Sequence, residues 1–118
     1  MSVQFQGAVL FVRDKARSRS FYEGLLEQRV IADYGPVVGF EGFSIWQVDH
    51  ADTILFKDQS ANEGILGRRN LELCFEDEDI RRIWGKISSA GIELVHPLEE
   101  QPWGQLVFRV YDPDHHII

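Results

Sequence analysis

Apolar positions along this chain change period several times, and the changes recur in the same order in each half. Residues 5–12 are apolar and rich in strand formers, which predicts a first strand. Asp14 stops it and can cap a helix by accepting from the first free N–H groups. Over Lys15 to Leu26, Phe21, Tyr22, Leu25 and Leu26 form one stripe at helical spacing, with Arg17, Arg19 and Glu23 facing water. Three strands are predicted next, at Arg29 to Tyr34, Val37 to Phe40 and Phe43 to Val48, separated by turns at Gly35-Pro36 and Glu41-Gly42. Asp49 to Asp52 breaks the pattern and Thr53 to Phe56 is a short apolar run.

The order then returns. Leu71 to Phe75 reads as a strand, and the acidic run from Glu76 to Asp79 leads into a helix whose stripe is Ile80, Ile83, Trp84 and Ile87. Gly91 is its C-terminal cap, and Ile92 to Val95 is a strand that His96-Pro97 ends. Gln105 to Tyr111 is a strand, Asp112-Pro113-Asp114-His115 a turn, and a last strand begins at His116. We read one α+β domain with an internal duplication: module one at 4–56, a polar connection at 57–70 and module two at 71–118.

Composition adds mainly exclusions. At 118 residues the chain has room for one domain. The net charge of −7 repels nucleic-acid backbones and anionic lipid, so neither a nucleic acid nor a membrane surface is an expected partner. No apolar stretch reaches bilayer length, and the start lacks a signal-peptide pattern, so the expected compartment is the cytoplasm. The one cysteine, Cys74, lies in an apolar strand pattern and is expected to be a small core residue.

Three stretches resemble the vicinal oxygen chelate superfamily, which includes glyoxalase I, bleomycin-resistance proteins, fosfomycin-resistance enzymes and extradiol dioxygenases. The first is Val9-Leu10-Phe11-Val12-Arg13-Asp14 followed by Ser20-Phe21-Tyr22, and the second is Leu73-Cys74-Phe75 leading to Asp79-Ile80. The third is Gln101-Pro102-Trp103-Gly104-Gln105 followed by Phe108 to His116, which is similar to a P-W-G segment before a D-P-D-G-H turn. His115 stands where Gly is usual. The resemblance implies two βαβββ modules whose curved mixed sheet surrounds a cup, a ligand or metal inside it, and a homodimer. It implies no single reaction.

Metal-dependent members place ligands at four positions, which the resemblance carries onto this chain as follows. The first-strand His position falls on Gly7, and the second-module His position on Glu72. The mid-module ligand falls nearest Gln47, and the terminal Glu one residue past Ile118. A last strand this short is one that a longer natural chain would extend. A stable transition-metal site needs about three strong protein ligands. No catalytic metal is therefore expected, with Glu72 the weak candidate. His50, His96, His115 and His116 fall in predicted loops and turns.

Strand alternation gives the expected lining. Leu106, Phe108 and Val110 should pack on a helix, as should Leu71, Leu73 and Phe75, and Trp84 should join the core. Gln105, Val107, Arg109 and Tyr111 then face the cup, with Glu72 and Cys74, and with Gly7, Val9 and Phe11 from the first strand. Gln47, Glu72, Trp103, Gln105, Arg109 and Tyr111 are the candidate ligand-binding residues. Trp46 and Trp103 could stack on a planar ligand. Arg109 and Glu72 are equally readable as ligand anchors or as an ion pair. Three functions follow: a binder of small organic molecules with a degenerate metal site, a metal-dependent lyase or dioxygenase with ligands rearranged around Glu72, Gln47 and a histidine, or a purely structural or partner-binding module.

Overall fold

The computed structural model describes residues 2–118 and divides into two compact units, the first ending at Gly64 and the second beginning at Ile65. Each is described in its own frame.

In the first unit, β1 (Ala8–Val12) leads to Asp14, whose carboxylate accepts from the Arg17 N–H at 3.2 Å and caps α1 (Lys15–Arg19). The expected helix continues through Ser20–Leu25, but as a wider π-helical segment in which the Leu26 N–H reaches the Phe21 carbonyl. The apolar stripe still turns inward. Phe21 and Tyr22 are buried, and the Tyr22 ring meets Phe43 at 5.2 Å and Phe40 at 6.0 Å. Phe40 and Phe43 stack on each other at 4.8 Å.

Three strands follow: β2 (Val30–Asp33), β3 (Val37–Phe40) and β4 (Phe43–Gln47). The sheet order is β1-β4-β3-β2, with β1 parallel to β4 and the other pairs antiparallel. Leu10, Val12, Val38 and Ile45 fill the core, as a half-buried mixed sheet requires. The first strand is shorter than its apolar run, since residues 5–7 stay outside it and Phe5 is 89% exposed.

Asp49 to Asp52 does not break the chain. It forms the start of α2 (Val48–Phe56), on which Val48, Ala51 and Asp52 point inward. A buried carboxylate needs hydrogen-bond donors, and Asn62 supplies them: its backbone N–H lies 2.9 Å from Asp52 Oδ2, and its side-chain amide bonds the other oxygen. Arg13 ties the same stretch down, bonding the Asn62 carbonyl and, at 2.6 Å, that of Gly64.

In the second unit Asp79 accepts from the Arg82 N–H at 3.2 Å and caps α3 (Ile80–Ser89), with Gly91 at φ 67° just past its end. Ile83 and Ile87 are buried, and Trp84 packs on Phe108 with ring centroids 5.2 Å apart. The next strand, β5 (Leu94–Glu100), does not end at His96-Pro97. Its pairing with β6 (Leu106–Val110) slips on both sides of His96, and these bulges absorb a proline that has no N–H to give.

The strand expected at Leu71 to Phe75 shrinks to one parallel bridge between Glu72 and Ile117, and Ile117 in turn bridges Tyr111 in antiparallel sense. Taken in order, Glu72, Ile117, β6 and β5 repeat the pairing order and strand senses of β1-β4-β3-β2. The duplication read from the sequence is therefore present in the hydrogen bonding. Leu71 is 62% exposed and does not pack on a helix, and Cys74 is exposed, not core. One isolated bridge leaves these side chains without a sheet face to bury.

Candidate functional site

The polar residues of the second unit gather around Arg109, which sits on β6 opposite His96 of β5. Its Nε lies 2.7 Å from Glu72 Oε2, and its Nη1 lies 3.0 Å from His96 Nε2. A guanidinium can only donate, so His96 Nε2 must accept and the ring proton sits on Nδ1. That assignment suits Nδ1, which has the Pro97 carbonyl at 2.8 Å and Glu99 Oε1 at 3.4 Å. The second Glu72 oxygen accepts from the Cys74 thiol at 3.6 Å. Although Cys74 is exposed as a residue, desolvation of its thiol and then the Glu72 charge push that thiol above its ordinary range. Glu72 is thus the ion-pair partner of Arg109.

The other candidate positions are placed as follows. Tyr111 stands just past the end of β6, bridges Ile117, and stacks on His115 at 4.8 Å. His115 holds φ 65°, the conformation for which Gly is favoured, and its Nε2 lies 3.0 Å from Glu93 Oε2. Asp112 Oδ1 accepts from the N–H groups of Asp114 and His116, each at 2.9 Å, and so fixes the turn. Trp103 is 65% exposed and its Nε1 donates to Gln105 Oε1 at 2.9 Å, so these two residues pair with each other.

Gln47 belongs to the first unit. Its Oε1 accepts from the Lys15 N–H at 2.9 Å and its amide donates to the Arg13 carbonyl, so both ends hold the β1–α1 turn. Trp46 donates from Nε1 to His50 Nδ1 at 3.0 Å and meets Phe11 edge to face.

His96 is the member that the sequence reading left out, because a His-Pro pair reads as a strand end. Carrying the strand through would have set His96 across from Arg109. The histidine and arginine sharing one antiparallel pair was the available signal.

The positions at which the resemblance would put metal ligands do not fit an ion. Gly7 adopts φ +124°, and a Cβ there would stand 2.4 Å from the Gly42 carbonyl oxygen, so no ligand-bearing side chain fits this backbone. Gln47 is spent on two backbone groups and Glu72 on Arg109 and Cys74. Among the described residues no three His, Cys, Asp or Glu side chains are grouped so as to hold a metal. Nor is any helix among them long and apolar enough to cross a membrane.

Comparison with known proteins agrees with this architecture. Over its whole length the chain is 39% identical to a protein of unknown function from Agrobacterium tumefaciens, covering 92% of it with a TM-score of 0.92. It is also similar to a glyoxalase-related enzyme from Fulvimarina pelagi, at 19% identity and TM-score 0.75, over 98% of this chain and 85% of that one. The fosfomycin resistance protein FosX from Mesorhizobium loti matches at 19% identity and TM-score 0.67, over 99% and 89% of the two chains. At such identities the likeness is one of fold. No curated protein matches the chain. The model of the glyoxalase-like domain matches residues 5–118, nearly the full length, and the chain belongs to that family.

Proposed function

We propose that this protein binds a small organic molecule at the Arg109 cluster and does so without the metal centre of its metal-dependent relatives. The observation that carries this reading is the use of Glu72: its carboxylate is committed to Arg109 at 2.7 Å, at the position where the second module would supply a metal ligand. The closed backbone at Gly7 supports the same view. A guanidinium held by a carboxylate and a histidine across one strand pair is the kind of sparse polar anchor that orients a small ligand.

The exposed side chains of Val3, Phe5, Ile54, Leu55, Phe56, Ile65 and Leu71 support association with a second copy of the chain. Cys74, which forms no disulfide, suits a reducing compartment such as the cytoplasm.

A thermal-shift screen of planar amides, ketones and organic acids tests the binding reading. Ligands that raise the melting temperature of the wild type should lose that effect in Arg109→Ala. Retention of one equivalent of a divalent ion through dialysis, released by Glu72→Ala, would show instead that the metal-dependent lyase or dioxygenase reading is correct.

A further inference from the structure

His96 and Arg109 face each other across β5 and β6, and the bond between them holds only while the histidine is neutral. Arg109 Nη1 donates to His96 Nε2 at 3.0 Å, so that nitrogen must offer its lone pair. Once Nε2 takes a proton, two donors and two positive charges meet at one point. The bond is lost, and both nitrogens turn to whatever acceptor reaches them. The side chains are 21% and 27% exposed, so part of each is open to solvent.

Two carboxylates flank the pair. Glu72 stands 2.7 Å from Arg109 Nε, with the Cys74 thiol behind it at 3.6 Å. Beyond the imidazole, Nδ1 meets the Pro97 carbonyl at 2.8 Å and Glu99 Oε1 at 3.4 Å. Among the described residues no further hydrogen bond or ion pair reaches His96 or Arg109. Carboxylates and guanidinium ordinarily keep their charges between about pH 5 and pH 8, whereas imidazole changes its charge there. The Cys74 thiol, pushed up by desolvation and then by Glu72, stays uncharged over that range. His96 is therefore the member of the cluster that switches. With it neutral, one arginine faces two carboxylates; with it protonated, the charges balance.

An anion arriving at Arg109 Nη1 is drawn by the guanidinium and repelled by Glu72 and Glu99 in either state. What differs is His96 Nε2, which presents a lone pair when neutral and a charged N–H donor when protonated. The protonated state holds a carboxylate better, one oxygen accepting from Nη1 and the other from Nε2. In a partly exposed site, one positive charge a few ångströms away is worth about a factor of ten in affinity. By linkage, a ligand that favours the protonated state draws a proton from solvent as it binds, and its affinity rises as pH falls.

We propose that the Arg109 site takes an organic carboxylate between Arg109 Nη1 and His96 Nε2 and that binding is coupled to protonation of His96. The proposal rests on reading the Arg109 cluster as the ligand site.

The test is a calorimetric titration of the full chain with benzoate and, as the uncharged match, benzamide. It is run at about pH 8 and about pH 6, where benzoate stays ionised, in two buffers of different ionisation heat. Benzoate should bind about tenfold more tightly at the lower pH, with net uptake of protons, and benzamide should gain less. Adding benzoate near neutral pH should also move the carbon-13 resonances of the His96 ring toward those of an imidazolium. In His96→Gln, which cannot titrate, benzoate should bind equally at both pH values. Benzoate affinity that is flat or weaker at the lower pH, or the same pH dependence in a folded His96→Gln, would overturn the coupling and leave the small-molecule reading standing. No binding of benzoate at either pH would overturn the carboxylate assignment. Arg109→Ala binding both probes as the wild type does would overturn the site itself. The His96 resonances decide the matter in the wild type even where His96→Gln does not fold.

Discussion

A Cβ on Gly7 would lie 2.4 Å from the carbonyl oxygen of Gly42, closer than real Cβ atoms come to any backbone atom. Gly7 is the position onto which the resemblance carries a metal-binding histidine, and the backbone leaves no room for that side chain. Gly7→His should destabilise the protein by roughly 1–3 kcal/mol from the backbone conformation alone, with the collision adding to it. Urea unfolding reads the loss. Wild-type stability together with retained divalent metal in Gly7→His would show that the backbone at this point is free to open.

Two glycines of the second unit should respond in opposite ways to the same substitution. A Cβ on Gly67 would stand 1.9 Å from the His115 carbonyl oxygen, and the Gly67 N–H itself donates to the Asp114 carbonyl at 3.0 Å. Backbone meets backbone there, so Gly67→Ala should cost about 3 kcal/mol. Gly85, inside α3, has nothing within 4 Å of its added Cβ, so Gly85→Ala should stabilise by about 0.5–1 kcal/mol. Thermal melts of the two variants check both signs.

The Glu72–Arg109 pair should contribute little stability, as expected of groups held for binding. Their side chains are 37% and 27% exposed, so solvent screens the attraction. A double-mutant cycle with Glu72→Gln and Arg109→Gln should give a coupling of about 0.5–1 kcal/mol that shrinks as salt is added. A coupling several times larger and insensitive to salt would make the pair a structural element.

Cys74 should be a slow nucleophile. Desolvation and the neighbouring Glu72 carboxylate raise its thiol above the ordinary value, so at neutral pH less thiolate is present than in a free cysteine. Its alkylation by iodoacetamide should lag behind that of a small-molecule thiol and catch up only as pH rises. Glu72→Gln removes the negative neighbour while Arg109, which favours the thiolate, remains, so the rate at fixed pH should increase. Unchanged kinetics in that variant would show that Glu72 does not act on the thiol.

The sequence was most legible where a residue's neighbours in the chain decide its structure. Asp14 and Asp79 cap their helices because a carboxylate one residue before the first turn meets orphan N–H groups wherever the helix is placed. Turns at Gly35 and Gly42 adopt the positive φ that glycine allows. The reading failed where distant partners decide. The run from Asp49 to Asp52 is polar enough to read as a break, yet Asp52 turns inward because Asn62 donates to both of its oxygens. His96-Pro97 reads as an end, yet bulges carry β5 through it.

For the candidate site the division is the same. Alternation along Gln105 to Tyr111 is what sets Arg109 and Tyr111 on one expected face, because the period of a strand is a local property. What only the tertiary structure decided is which group each side chain meets. Glu72 meets Arg109 across 37 residues, His96 joins from a strand that bulges, and Gln47 is drawn into the β1–α1 turn. The chain's own pattern determined two repeated α+β modules. Long-range contact, which leaves no periodic trace in the sequence, turned Glu72 from a candidate metal ligand into the counter-ion of an arginine.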